Sequence, residues 1–422
     1  RQMGNESMGF RNGLACLLIG VFVIGIPAAS TGKASEKRVP RLLDPAFTHL
    51  MAVVDGGKPV AFDAARIEPL LSFVLSDKTP GVRYQAGESG GPSSAYHEFR
   101  LQRPLESFLQ LTYHPSLPSY LTVPSTVRLS YWTRIQGREQ HLPKLWQHLT
   151  ALQSPVRIDG VETIVNTPDL FSGAYYTYEL DRTIILLRWK GRKVALSLSK
   201  QRGPSDVGKK GAVIGPDNQW NYLYTGQEGL SRPGLGWVDS YMYDSFSIIV
   251  YVQTGQSPTT IHCGIFKWLD AGWAGINMVR SHHIHRGLVR FADDFKTIVE
   301  APQMDDAERL VPAFERIGNL STETLRKKVG DYYRKLQRRH AADSPMLRKW
   351  LQGAFEADGH LAHMSRPEME SILCIEMLKY LLGKNHHIDV AGFVAARTGT
   401  GAVDDPWPPA KHRLRTSSAE RR

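Results

Sequence analysis

Between residues 175 and 199 the chain repeats its chemistry every second residue, a period that requires extended, sheet-forming backbone. Val194, Leu196 and Leu198 fall on one side of this run and Ala195, Ser197 and Ser199 on the other, so one face must be covered by the rest of the fold. Three strand-like stretches, 175–180, 183–189 and 192–199, are separated only by Asp181-Arg182 and Lys190-Gly191, the spacing of an antiparallel meander. The same period extends over residues 95–280. Val127, Leu129 and Tyr131 alternate with polar residues, Asp159-Gly160 carries a hairpin signal, and further strands are expected over 220–224, 237–243, 246–253 and 260–268. A helical insert interrupts them around 142–152, with Leu142, Leu145, Trp146 and Leu149 at helical spacing.

From about Arg286 the period becomes 3.6, with Leu288, Phe291, Ala292, Phe295, Ile298 and Val299 on one stripe. Pro345 and Pro367 open further helices, the second apolar almost all round and ending at Gly383. Upstream, residues 42–76 carry helical spacing behind Asp44-Pro45, and 77–94 concentrate Lys, Thr, Pro, Gly and Ser. At 422 residues there is chain enough for more than one core. The expected class is α+β. A signal peptide over 1–30 and a helical lead-in with a Gly/Ser-rich loop over 31–94 precede an antiparallel β-sheet domain over 95–280. An α-helical domain over 281–398 follows, and a basic tail over 399–422 is too polar to offset its ordering entropy.

The leader reading rests on residues 14–26, an apolar run behind Arg11 and ahead of Pro27, Ala28, Ala29 and Ser30. A spanning helix needs ~20 apolar residues, so this run of 13 matches a signal-peptide h-region rather than an anchor. Small residues set cleavage after Ser30 or Ala34, and the protein is expected to be exported to a periplasmic or extracellular space. Cys16 begins the apolar run rather than ending it, which argues against lipid attachment. Cys263 and Cys374 then remain as the thiols of the mature chain, and their settings in a strand and an apolar helix predict two buried, unbridged cysteines.

No motif fixes a reaction. Gly87-Glu-Ser-Gly-Gly-Pro imitates a nucleophile loop, yet neither the upstream His and Asp nor the following helix that such loops require is present. His262 and Cys263 are strand neighbours and point to opposite faces, so one cannot activate the other. Gly208-Lys-Lys-Gly lacks the Lys-Ser/Thr pair and helix of a phosphate loop. His282, His283 and His285 could contribute to a zinc or copper site at the β/α junction, with two converging locally and the remainder supplied by His386, His387 and Asp389 or by Asp293 and Asp294.

Two features point to binding. Trp220, Tyr222 and Tyr224, with Tyr241 and Tyr243, alternate along their runs, so the rings of each run share a face suited to an amphipathic lipid or a glycan. Around Leu325, Val329, Tyr332, Tyr333 and Leu336, the residues Arg326, Lys327, Lys328, Arg334, Lys335, Arg338 and Arg339 form a basic outer face that could meet an anionic envelope surface. The net charge of +11 permits such partners, although export argues against nucleic acid. The expected function is that of an exported, non-catalytic binding or envelope-assembly protein without a cofactor or a transmembrane span in its mature form. The competing expectation is a secreted hydrolase or metal-dependent enzyme built on the histidine cluster. N-terminal sequencing of protein recovered from the exported fraction is expected to begin at Thr31 or Ser35; recovery from the cytoplasm with residues 14–26 retained contradicts the leader.

Overall fold

A computed structural model describes residues 35–394, apart from 58–59, 80–81, 87–91, 139–140, 171, 233–235, 256–257, 341–344 and 356–358. The leader, the Gly87 to Gly91 motif and the basic tail lie outside the described residues. In chain order the strands are β1 (Ser35–Arg38), β2 (Val82–Gln85), β3 (Ser93–Leu101), β4 (Val127–Ile135), β5 (Val156–Asn166), β6 (Ala174–Tyr175), β7 (Thr177–Trp189), β8 (Arg192–Gln201), β9 (Lys209–Val213), β10 (Tyr222–Glu228), β11 (Leu230–Arg232), β12 (Gly236–Val238), β13 (Ser240–Thr254), β14 (Thr260–Trp273) and β15 (Ile276–Asn277). The helices are α1 (Asp44–Val54), α2 (Glu68–Leu75), α3 (Leu105–Thr112), α4 (Leu145–His148), α5 (Ser281–Val299), α6 (Ala307–Gly318), α7 (Thr322–His340), α8 (Pro345–Gly353), α9 (His360–His363), α10 (Arg366–Leu381) and α11 (Ala391–Val394).

One large sheet runs β1-β2-β3-β14-β13-β8-β7-β5-β4, with β15 paired to β14. Its neighbours are antiparallel except β1 and β2. A three-stranded sheet, β10-β9-β6, and the pair β11-β12 stand apart from it. The molecule is mixed α+β, with its helices mostly in the C-terminal half, and none of the described helices is long and apolar enough to cross a membrane.

Strand alternation assigns the faces. Ile248, Val250 and Val252 of β13, Val194, Leu196 and Leu198 of β8, and Ile185 and Leu187 of β7 join the apolar residues of α1 and α2 in one cluster. On the reverse face Tyr251, Ala195, Ile184, Leu186 and Cys263 belong to a second cluster, which includes Phe295 of α5, Leu325 and Tyr333 of α7 and Leu373 and Met377 of α10. The sheet and the C-terminal helices therefore share a core. Ser197 and Ser199 lie on this second face and are buried, so both faces of the central strands are covered rather than one.

Two turn signals turn out to be strand interior. Asp181 and Arg182 lie within β7, and Asp159 and Gly160 lie within β5. Alternation explains the first pair: Asp181 turns to one face, and Arg182 turns to the other, where its Nη2 lies 2.6 Å from Glu162 Oε2. At Gly160 the missing side chain is needed for close approach, because a Cβ there would sit 2.5 Å from the Arg134 carbonyl oxygen and 2.7 Å from the Trp132 ring. Lys190-Gly191 does turn the chain, with φ values of 47° and 77°, the left-handed pair of a tight hairpin. The insert around residue 145 shrinks to the single turn α4, and Asp44-Pro45 lies inside the first turn of α1 behind an N-cap at Leu43. Gly160→Ala is expected to lower stability by about 1–3 kcal/mol in urea unfolding, whereas Gly203→Ala, where an added Cβ meets nothing within 4 Å, is expected to leave the midpoint nearly unchanged.

Candidate functional site

The two aromatic runs lie on different sheets, and the longer of them is closed off. Trp220, Tyr222 and Tyr224 belong to the small sheet and the turn before it, and all three are buried in the core shared with α7 and α10. They line a cavity of about 30 Å³, room for one or two water molecules rather than for a lipid or a sugar. The surrounding polar groups hold them in place. Arg128 stacks over the Tyr224 ring at 3.6 Å and pairs with Glu368 at 2.8 Å, while Arg290 donates to Tyr222 Oη at 3.1 Å and pairs with Asp217. Trp220 takes a left-handed conformation, φ 53°, with the Lys384 amine 4.6 Å from its ring centre. Tyr241 and Tyr243 lie on β13 of the large sheet, half-buried and stacked with centroids 6.1 Å apart, and Tyr243 Oη accepts from Gly275 N. Of the two runs expected to offer rings to a ligand, Trp220, Tyr222 and Tyr224 are core, and Tyr241 and Tyr243 form a separate half-buried stacked pair.

The three histidines open α5, where successive side chains diverge around the helix. His283 Nδ1 accepts from Arg280 N at 3.2 Å as part of the N-terminal cap, and His285 packs edge-on against His97 of β3 with centroids 5.6 Å apart. The rings of His282 and His283 lie 4.0 Å apart. Burial lowers the pKa of His97, His283 and His285. Among the described residues no three His, Cys, Asp or Glu side chains come together in a way that could hold a metal ion. Cys263 and Cys374 are buried, unbridged thiols, and burial raises the pKa of both.

Another set of polar residues converges on the interior face of the large sheet. The ladder register lines up Ala95 of β3, Lys267 of β14, Ser247 of β13, Ser199 of β8, Arg182 of β7 and Gly160 of β5 in one row across the strands. One step to one side lie His97, Ile265, Ile249 and Ser197; one step to the other lie Leu269 and Ser245. Lys267, Ser247, Ile249, Leu269 and Arg182 are only half-buried, as are His97 and Gly160, while Ala95, Ser199, Ser197, Ile265 and Ser245 on the same face are buried. These partly open residues adjoin one another in register, and we read this less closely covered stretch of the face as a recess. A second apolar cluster, Ala174, Tyr176, Leu230 and Met242 with Tyr178, Leu269 and Ala271 against it, borders the row.

Electrostatics separates the two cations of this row. Arg182 is neutralised: its Nε lies 2.7 Å from Glu162 Oε2, it donates to Ser197 Oγ at 3.3 Å, and Ser130 holds the other Glu162 oxygen. Lys267 has no hydrogen bond or ion pair among the described residues, and its pKa is pushed down to about 8, chiefly by desolvation, further by Arg182, and against the opposing pull of Asp244. Lys267 is half-buried as a residue while burial dominates the lowering of its pKa, the combination expected where a stem is partly open and its amine is desolvated. The residue is legible in the sequence after the fact: Ile261, Cys263, Ile265, Lys267 and Leu269 occupy alternate positions, so a lysine stands where the period demands a core residue.

Compared with known proteins, the chain matches no family model and no curated protein. Its chemistry must be read from its own residues.

The lowered pKa has a defined sign in stability. Below about pH 8 the folded chain carries the full penalty of a desolvated charge, and the penalty fades as pH rises toward 10.5, where the unfolded lysine also loses its proton. Lys267→Met is therefore expected to stabilise the protein at pH 7 by on the order of 1–3 kcal/mol, with the gain shrinking between about pH 8 and 10.5. Urea unfolding of both forms across that range checks the slope; a destabilised variant contradicts it.

Proposed function

We propose that the protein is an exported, non-catalytic binding or envelope-assembly protein whose amphipathic ligand sits on the interior face of the large sheet, at the recess around Lys267. The observation that carries this reading is an amine without a hydrogen-bond or ion-pair partner among the described residues, on a face where Arg182 is paired, flanked by the half-buried apolar side chains of Ile249 and Leu269. An amine left unpaired at the floor of a recess lowers stability, which is the mark of a group kept for something that arrives later. The apolar walls on either side offer burial to a ligand's apolar part at ~25 cal/mol per Å². Of the two ligand classes expected from sequence, the surroundings favour an amphipathic lipid over a glycan, because Trp220, Tyr222 and Tyr224, the run of rings best suited to stacking a sugar, are spent in the core.

Export rests on the short apolar leader over residues 14–26. Contact with an anionic envelope surface is a second part of the proposal. Helix α7 buries Leu325, Val329, Tyr332, Tyr333 and Leu336 and leaves Arg326, Lys327, Arg334, Lys335, Arg338 and Arg339 exposed, with Arg334 paired to Asp331, so this face can meet anionic headgroups, each cation adding about 1 kcal/mol near such a surface.

Titration of the purified protein with a fluorescent single-chain amphiphile and, separately, with a panel of oligosaccharides tests the reading. Saturable binding of the amphiphile at one site is expected. Trp220→Ala is expected to lower the unfolding midpoint, by about 3–5 kcal/mol in stability, while changing the dissociation constant of the folded protein by less than about threefold. Saturable binding of sugars alone, or of neither class, defeats the proposal.

A further inference from the structure

We infer that the head group received at this recess is a single anion, a carboxylate or a phosphodiester, and that Lys267 is its counter-ion. The inference rests on the reading of the interior face as a ligand seat and specifies what that seat selects. Across the row the residues between the two long cations are small, Ser247 and Ser199, with Ala95 and Gly160 beyond them, so little side-chain bulk stands beside the lysine in this row. Strands lie ~4.8 Å apart, which places the Lys267 and Arg182 backbones about 14 Å from one another across that floor. Arg182 is already matched by Glu162, so the row presents one uncompensated positive charge.

A second observation points the same way. On the adjoining step Ser245 is buried with its Oγ unpartnered among the described residues. A buried hydroxyl without a partner is unfavourable, and an oxyanion beside Lys267 would accept from it. Beyond the serine lie Met242, Leu269 and Ala271, and on the opposite side Ile249 and Ile265, so an alkyl chain leaving the head group in either direction meets apolar side chains.

The charge balance around Lys267 comes from every side. Asp244 on β13 favours the charged amine and Arg182 on β7 opposes it, while Glu162 on β5 is taken up by Arg182. His97 on β3 and His285 on α5 both have lowered pKa values, and the Tyr113 and Tyr178 hydroxyls have raised ones, so these four stay neutral at and above pH 7. Lys267 is the group of this set that changes charge near pH 8.

The test uses the full chain and four dodecyl amphiphiles below their micelle concentrations: laurate, a dodecyl phosphodiester, dodecyltrimethylammonium and dodecyl maltoside. The two anions are expected to bind at least about tenfold more tightly than the other two, and laurate affinity is expected to fall as pH rises from about 7 to about 9.5. Lys267→Met is expected to remove the anion preference and its pH dependence, and Lys267→Arg to restore the preference without the pH dependence. Acetate and inorganic phosphate separate the sources of the anion: failure of either to compete at millimolar concentration supports a lipid-like ligand, and competition equal to that of laurate overturns it in favour of a free small anion. Equal affinity for all four heads, unaltered in Lys267→Met, overturns the head-group assignment while amphiphile binding stands. Absence of saturable binding by any of the four overturns the ligand seat as well. If a variant fails to fold, the head-group ranking and pH profile of the native chain still decide.

Discussion

A sheet covered on both faces is the constraint from which the rest of this structure follows. Strands β7, β8, β13 and β14 have helices or loops over each side, so a polar side chain on them enters a medium where an unpaired charge costs several kcal/mol. The period of two is therefore enforced twice, once by α1 and α2 and once by the C-terminal helices. Exceptions to it carry information for that reason. Arg182 and Glu162 are an exception resolved within the protein, and Lys267 is one that is left open.

Elsewhere several buried charges are paired within the protein. Lys379 is fully buried on α10, yet its amine lies 2.5 Å from Glu376 and 2.6 Å from Asn221 in the turn before β10. The second oxygen of Glu376 accepts from the backbone N–H groups of His387 and Ile388. This network ties the small sheet to the last long helix and to the chain that follows it. Arg290 does the same between α5 and the Asp217 turn, and Arg128 between β4 and α10. Such pairs add little net stability once desolvation is counted, but removing one partner would strand the other, so they dictate how the helices seat against the sheets.

The same accounting explains the fate of the aromatic strands. Rings alternating along a strand are equally suited to a ligand and to a core, since in both cases they bury ~150–250 Å² each. Trp220, Tyr222 and Tyr224 became core because α7 and α10 supply an apolar cover with cations placed over the ring faces, Arg128 on Tyr224 and Lys384 on Trp220. The recess survives on the large sheet because serines and a glycine occupy the row where bulky side chains would have closed it.

The sequence by itself determined the elements whose period is strong: the β-rich middle, the α-helical end, the stripe of α7 and the turn at Lys190-Gly191. Each follows from local spacing, and spacing is a property of neighbours in the chain. It misread Asp159-Gly160 and Asp181-Arg182 as turns, because a polar pair looks the same at a hairpin and at a point where a strand meets Trp132 or Glu162 across the sheet. It located the binding face on the aromatic runs, because alternation reports which side chains share a face and says nothing of what covers it. Only the tertiary structure decided that helices close over those rings, that β14 lies beside β3 and β13, and that a lysine at a core position makes no ion pair among the described residues. The partners that determine burial and charge are contributed by residues far away in sequence, and their identity exists only once the sheet is assembled.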